Sequence, residues 1–261
     1  DPYLIDGNNS MMLVRLQGIE FNSTENFELT ADIDATNTTG WNDNAGFIPI
    51  SDAIGGSLDG ANFTISNLHI DKTNGVGGEY VGLFGNVESY TIRHLALTNV
   101  TVKDNDNTAE VGGLIGTTEG ASSSIESVQV TGSVESDGSA GGLIGFIDTN
   151  PPSIMRSSFE GNVTGDFAAG GLAGTVAGGV NISDSYAILD VLSAVDSGAT
   201  ANPFVDREFL DYNGQPSKTI SISNSYAVVS SVSGSPRTTE YSDLTTSNVY
   251  IQDGGQNFAG L

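Results

Sequence analysis

A short glycine-rich block recurs along this chain at nearly constant intervals, and that spacing limits what the chain can fold into more than any other feature. The copies are Val81-Gly-Leu-Phe-Gly85, Val111-Gly-Gly-Leu-Ile-Gly116, Ala140-Gly-Gly-Leu-Ile-Gly145 and Ala169-Gly-Gly-Leu-Ala-Gly174, whose last glycines lie 31, 29 and 29 residues apart. A fixed period of this size belongs to stacked repeats, in which each unit buries its apolar face only against its neighbours.

A second segment beginning with isoleucine follows each block. Its copies are Ile65-Ser-Asn-Leu-His-Ile70, Ile92-Arg-His-Leu-Ala-Leu97, Ile125-Glu-Ser-Val-Gln-Val130, Ile154-Met-Arg-Ser-Ser-Phe159, Ile182-Ser-Asp-Ser-Tyr-Ala187 and Ile222-Ser-Asn-Ser-Tyr-Ala227. The fourth and sixth residues are apolar or small and the fifth varies, an alternation that predicts a strand with one face buried. Two such strands per coil, joined by polar turns, predict an all-β fold. The expected architecture is a right-handed parallel β-helix, or β-solenoid, of about 29-residue coils with an N-terminal capping segment that contains a short helix. Recurrent glycine weakens a strand, so its repetition points to tight corners and close backbone packing.

At these residues the chain resembles the GLUG-motif repeats of bacterial and archaeal surface proteins and the related repeat region of the M26 IgA-specific metalloproteases. The resemblance runs from about Tyr3 to Tyr250 and takes in Asn26-Phe-Glu-Leu-Thr-Ala-Asp-Ile-Asp34, Gly40-Trp41 and the stretch from Gly56 to Leu68. It implies β-helical stalks on secreted adhesins. The protease's zinc motif does not carry over, because there is no His-Glu-x-x-His and the only histidines are His69 and His94.

The 261 residues read as a single domain, with a cap at 1–25, regular coils at 26–192, an inserted loop at 193–221 and terminal coils at 222–261. Thirty-two acidic residues against 8 basic ones give a net charge of −24, which argues against nucleic acid and anionic membrane surfaces as partners. It also suits a salty environment. No apolar run is long enough to span a membrane, so no membrane insertion is expected. Cysteine is absent, which excludes disulfides and zinc-thiolate sites. The chain begins at Asp1, as a processed protein or a fragment would, and Phe258 to Leu261 resembles another coil starting.

Before the repeats, Asn9 or Ser10 can cap a helix whose apolar residues Met12, Leu13 and Leu16 share a face. Trp41 reads as a core or cap residue in preference to a sugar platform. No cofactor is expected. Calcium is the one metal the sequence offers, through Asp104, Asp106 and Glu110, and this turn lacks the glycine and spaced glutamate of an EF-hand; Asp32, Asp34 and Asp43 form a similar second set. Sequons at Asn8, Asn22, Asn37, Asn62, Asn99, Asn162 and Asn181 give weak support for glycosylation and a surface location. Arg93 and His94 are adjacent, with His69 one coil below, and without an aspartate cluster they do not suggest catalysis.

Ile182 and Ile222 are 40 residues apart, and the surplus is expected in 196–219 as a lateral binding loop carrying Phe204, Arg207, Phe209 and Tyr212. The expected function is non-enzymatic: an extracellular, cell-surface adhesive or structural solenoid whose partners are proteins or glycans. One alternative is a subunit that self-assembles through the solenoid ends into a homopolymeric filament or surface layer. A polysaccharide lyase or hydrolase is the remote one.

Overall fold

The computed structural model describes residues 2–17, 25–50, 53–73, 79–120, 123–148, 150–195, 199–208, 219–233, 235–236 and 244–252. It is a parallel β-solenoid in which a 21-stranded sheet wraps most of each coil and a six-stranded sheet closes it. One ladder runs unbroken through Tyr3, Phe27, Leu58, Ile92, Ile125, Ile154, Ile182, Ile222 and Thr246, each paired in parallel with the next. These nine rungs, at about 4.8 Å each, make a rod about 40 Å long. Ile92, Ile125, Ile154, Ile182 and Ile222 are all buried, as the alternation requires.

The glycine block is not one strand. Glu110–Gly112 and Ser139–Gly141 belong to the six-stranded sheet, whereas Ile115–Glu119 and Ile144–Ile147 belong to the large one. The glycines fold the chain sharply between them. The leucine at each fold stacks on its equivalent, with the amide of Leu114 donating to the carbonyl of Leu143 at 3.1 Å and that of Leu143 to Leu172 at 2.9 Å.

Further round the coil, Ile33, Ile65, Leu97, Val130, Phe159, Ala187, Ala227 and Ile251 form a second inward column. The expected copy at Ile65–Ile70 is therefore out of step with the rest. Ile65 pairs with Leu97, and the residue beneath Ile92 is Leu58. The fourth-position residue, which changes from Leu95 and Val128 to serine, forms an internal hydroxyl ladder. Amides of Val128, Ser157 and Ser185 donate to the hydroxyls of Ser157, Ser185 and Ser225 at 3.1, 3.1 and 3.2 Å. Each hydroxyl in turn donates to the carbonyl two residues earlier, at 2.7–2.8 Å. Small polar residues are thus accommodated in the core because both their donor and acceptor needs are met.

At the N-terminal end, the helix Asn9–Gln17 buries Met12, Leu13 and Leu16 against the first coils, which covers the edge that a bare solenoid would expose. Its cap is Asn8, whose side-chain oxygen accepts from the Met11 amide at 3.1 Å, one residue earlier than expected. Trp41 packs against the core cluster, partly buried.

The expected range of the inserted loop contains two regular strands. Thr200–Asn202 and Val205–Glu208 are regular rungs on Ala168–Gly170 and on Ala173 to Val176. Asn202-Pro-Phe-Val-Asp206 replaces the glycine block, and Phe204, fully buried, takes the place of the stacked leucine. Most of the surplus falls between Glu208 and Ile220, which pair with Val176 and Val180, and a smaller part between Ala194 and Thr200, which pair with Gly165 and Ala168.

Candidate functional site

The corner that follows the Ile-x-x segment brings exposed polar side chains together in a column. There the chain turns through one residue with left-handed backbone, and the solenoid stacks these residues into a column: His94 (φ 50°), Ser127 (55°), Arg156 (49°), Asp184 (50°), Asn224 (47°) and Asn248 (54°). Asparagine and aspartate adopt this conformation readily, whereas other L-residues incur roughly 1 kcal/mol or more. The upper coils use the tolerant types. The three lower coils use histidine, serine and arginine, against the backbone's preference.

Two ion pairs flank that part of the column. Arg93 Nε donates to Asp59 Oδ2 at 2.7 Å, and His94 Nδ1 lies 3.2 Å from Asp59 Oδ1. Arg156 pairs with Glu126, the residue directly above Arg93 in register. Burial pushes the Asp59 carboxyl upward, but the hydrogen bonds from Arg93, the Ala61 amide and His94 outweigh it and hold the group below its ordinary value. A carboxylate kept ionised in this way is a poor general acid. The aspartate beside His94 was missed in the sequence because it lies 35 residues earlier. His69, by contrast, pairs with Thr101 on the next face and takes no part.

Between these pairs opens a groove of about 360 Å³ walled by Asn62, His94, Ser127, Gln129 and Arg156 over Ala96. Ala96 and Gln129 occupy the outward column that becomes Ser158, Tyr186, Tyr226 and Tyr250 in later coils. Where that column is small or extended there is a groove, and where it turns aromatic there is a ridge. Tyr186 and Tyr226 stack with ring centres 5.0 Å apart and planes 7° apart.

The other expected sites fare differently. Asp104, Asp106 and Glu110 do not converge, and no group of three potential metal ligands occurs among the described residues. Asp104 Oδ1 accepts the Asp106 amide at 2.7 Å, Asp106 accepts from Thr108, and Glu110 has moved into the six-stranded sheet between Tyr80 and Ser139. The turn is closed on itself by its own carboxylates. Phe204 is core, so it cannot be an exposed contact. Arg207 has its backbone in a regular strand opposite Thr175, and Phe209 and Tyr212 lie outside the described residues. Of the sequons, Asn8, Asn37, Asn62, Asn99 and Asn181 are exposed, Asn162 is half-buried and Asn22 lies outside the described residues. The Asn99 side chain donates to Asn67 at 2.8 Å.

Every lysine or arginine whose side chain is described is buried or paired: Arg15 with Asp6, Arg93 with Asp59, Lys103 with Asp71, Arg156 with Glu126, and Lys72 at 3% exposure. Most of the acidic residues thus have no cation beside them. We therefore expect the thermal midpoint to rise by several degrees between about 0.02 and 1 M NaCl, as the Debye length falls from roughly 20 to 3 Å. Screening weakens the exposed pairs too, but those contribute at most about 1 kcal/mol each. Melting curves that are flat or fall with salt would refute this.

No protein-family model matches the chain. An alignment 149 positions long, covering 52% of this chain, is 37% identical to Halomucin of Haloquadratum walsbyi, of which it spans only 2%. The fold is shared with solved chains of IgA1 proteases. One from Bacteroides ovatus, assigned as an immunoglobulin A1 protease, superposes with a TM-score of 0.63 at 18% identity over 97% of this chain and 85% of that one. A second IgA1 protease chain gives 0.63 at 20% identity over 99% of this chain and 20% of its own length. At such identities the likeness is one of fold. It agrees with the resemblance to M26 repeat regions read from the sequence.

Proposed function

We propose that this chain is a non-enzymatic module of an extracellular surface protein, a stiff acidic spacer whose lateral face makes adhesive contacts. The observation that carries the reading is the unbroken nine-rung ladder. A continuous parallel ladder with its core sealed and one end capped by a helix holds its length without a partner. Its heavy negative charge keeps neighbouring copies apart and in solution. The match to a small part of the much longer Halomucin supports a place within a large surface protein. The salt-bridged carboxylates of the corner column support a binding role there over hydrolysis, which would need a protonated acid facing a second free carboxylate.

The test is accessibility on intact cells of the source organism. An impermeant biotin reagent or an added protease should reach epitopes of this module without lysis, and the purified chain should release no reducing ends from polysaccharides. Labelling only after lysis would overturn the surface assignment, and turnover would overturn the non-enzymatic one.

A further inference from the structure

We infer that the corner groove between His94 and Arg156 is a binding site for an uncharged saccharide chain. The assignment deepens the adhesive-module reading and rests on it only in expecting binding without turnover.

Three independent features of the groove lead there. The first is the conflict between residue and backbone. The lower three coils place His94, Ser127 and Arg156 at left-handed positions where the upper coils place Asp184, Asn224 and Asn248. Ala61 and Ser89 also adopt this backbone, but His94, Ser127 and Arg156 do so in successive coils beside an open groove, which points to a site selected for something other than stability. The second is the supply of hydrogen-bonding groups. The side chains of Asn62, Ser127 and Gln129 face the groove without a hydrogen-bond partner among the described residues. An amide or hydroxyl both donates and accepts, as does a sugar hydroxyl, so the match is group for group. Arg156 and His94 add planar donors already oriented by Glu126 and Asp59.

The third is charge. Asp59 balances Arg93 and Glu126 balances Arg156, so the groove is locally neutral on a chain of net charge −24. The long-range field repels acidic glycans and nucleic acids, and no unbalanced cation is present in the groove to recapture them. An apolar peptide finds little to bury against, since of the apolar lining residues Leu95 is itself core and Ala96 is small. A neutral ligand rich in hydroxyls is what remains. The groove runs along the solenoid axis across coils spaced about 4.8 Å, a rise comparable to one sugar unit.

The experiment is NMR titration of the full chain, following the Asn62 and Gln129 side-chain amides and the Arg156 Nε–H signal. Probes are neutral tetrasaccharides of glucose, mannose and N-acetylglucosamine up to about 20 mM, which detects millimolar dissociation constants. Tetragalacturonate and a serine- and asparagine-rich peptide serve as contrasts. At least one neutral sugar should shift all three signals saturably while tetragalacturonate does not. Arg156→Asn should weaken that binding about tenfold or more while leaving the melting temperature unchanged or higher, since asparagine suits the backbone there. Gln129→Ala should weaken it without unfolding the chain.

The inference is overturned if no neutral sugar shifts these signals, if the variants bind as tightly as the parent, or if only the peptide binds, which would make the groove a protein contact. Such a failure leaves the surface-module reading to its own labelling test. Conversely, sugar binding accompanied by new reducing ends would sustain the groove and overturn the non-enzymatic reading.

Discussion

Between pH 5 and pH 9 the protein is expected to lose about 4 kcal/mol of folding stability, and Glu110→Gln is expected to remove most of that loss. Glu110 is half-buried as a residue, but its Oε2 is sealed from solvent and has no hydrogen-bond partner among the described residues. Burial pushes its carboxyl up to about 8 from an ordinary 4.5, and a hydrogen bond with Ser139 opposes this only in part. The folded state therefore holds a proton that the unfolded chain releases between those two values. Stability is complete below about 4.5 and declines as pH rises through about 8, the reverse of a salt-bridged carboxylate. Asp59 and Asp71 act in the opposite sense. Burial pushes both upward, but hydrogen bonds lower them overall, so their contribution is lost only on acidification below the ordinary carboxylate range. The two trends together predict a stability maximum near pH 5. Urea midpoints at pH 5, 7 and 9 measure it, and parallel slopes for the parent and the Glu110→Gln variant would refute the assignment to this residue.

Gly142→Ala is expected to destabilise the fold by about 4 kcal/mol or more, enough to abolish folding in a marginal protein. A Cβ at this position would sit 2.1 Å from the carbonyl oxygen of Gly171 in the next coil and 2.4 Å from Cγ of Phe159. The aromatic ring could swing away at some cost. The carbonyl cannot, because the rungs of two coils hold it in place and the Gly142 amide already donates to Gly170 at 3.1 Å. Shrinking Phe159 to leucine should therefore fail to rescue the variant. Gly40→Ala provides the control: a Cβ there meets nothing within 4 Å, and the change should stay within about 0.5 kcal/mol. Equal melting temperatures for the two variants would show that the coils are not locked in this way.

The glycine thus does two things that the sequence announces and one that it does not. Its recurrence in Val111 to Gly116 and Ala140 to Gly145 announces both the period and a tight fold in the chain. Its neighbour is not announced, because Phe159 is opposite Gly142 only once coils are stacked, and the equivalent contact at Gly113 is with Val130. The same division explains the misplaced insertion. Asn202-Pro-Phe-Val-Asp206 has lost the glycines by which a coil is recognised, yet Phe204 still fills the leucine column because a buried apolar side chain at that rung suffices.

By itself the sequence determined the architecture: a period near 29 residues, apolar positions alternating within each strand, and an amphipathic opening helix that covers the first coil. These are local or periodic properties, legible because each coil repeats the same burial problem. The register of the first coil was beyond it, because Ile65-Ser-Asn-Leu-His-Ile70 carries the pattern of Ile92 to Leu97 while pairing one strand further on. The groove was beyond it as well. Asp59 meets His94 and Glu126 meets Arg156 across 35 and 30 residues of chain, and residues so far apart become neighbours only when parallel stacking brings successive coils within hydrogen-bonding distance.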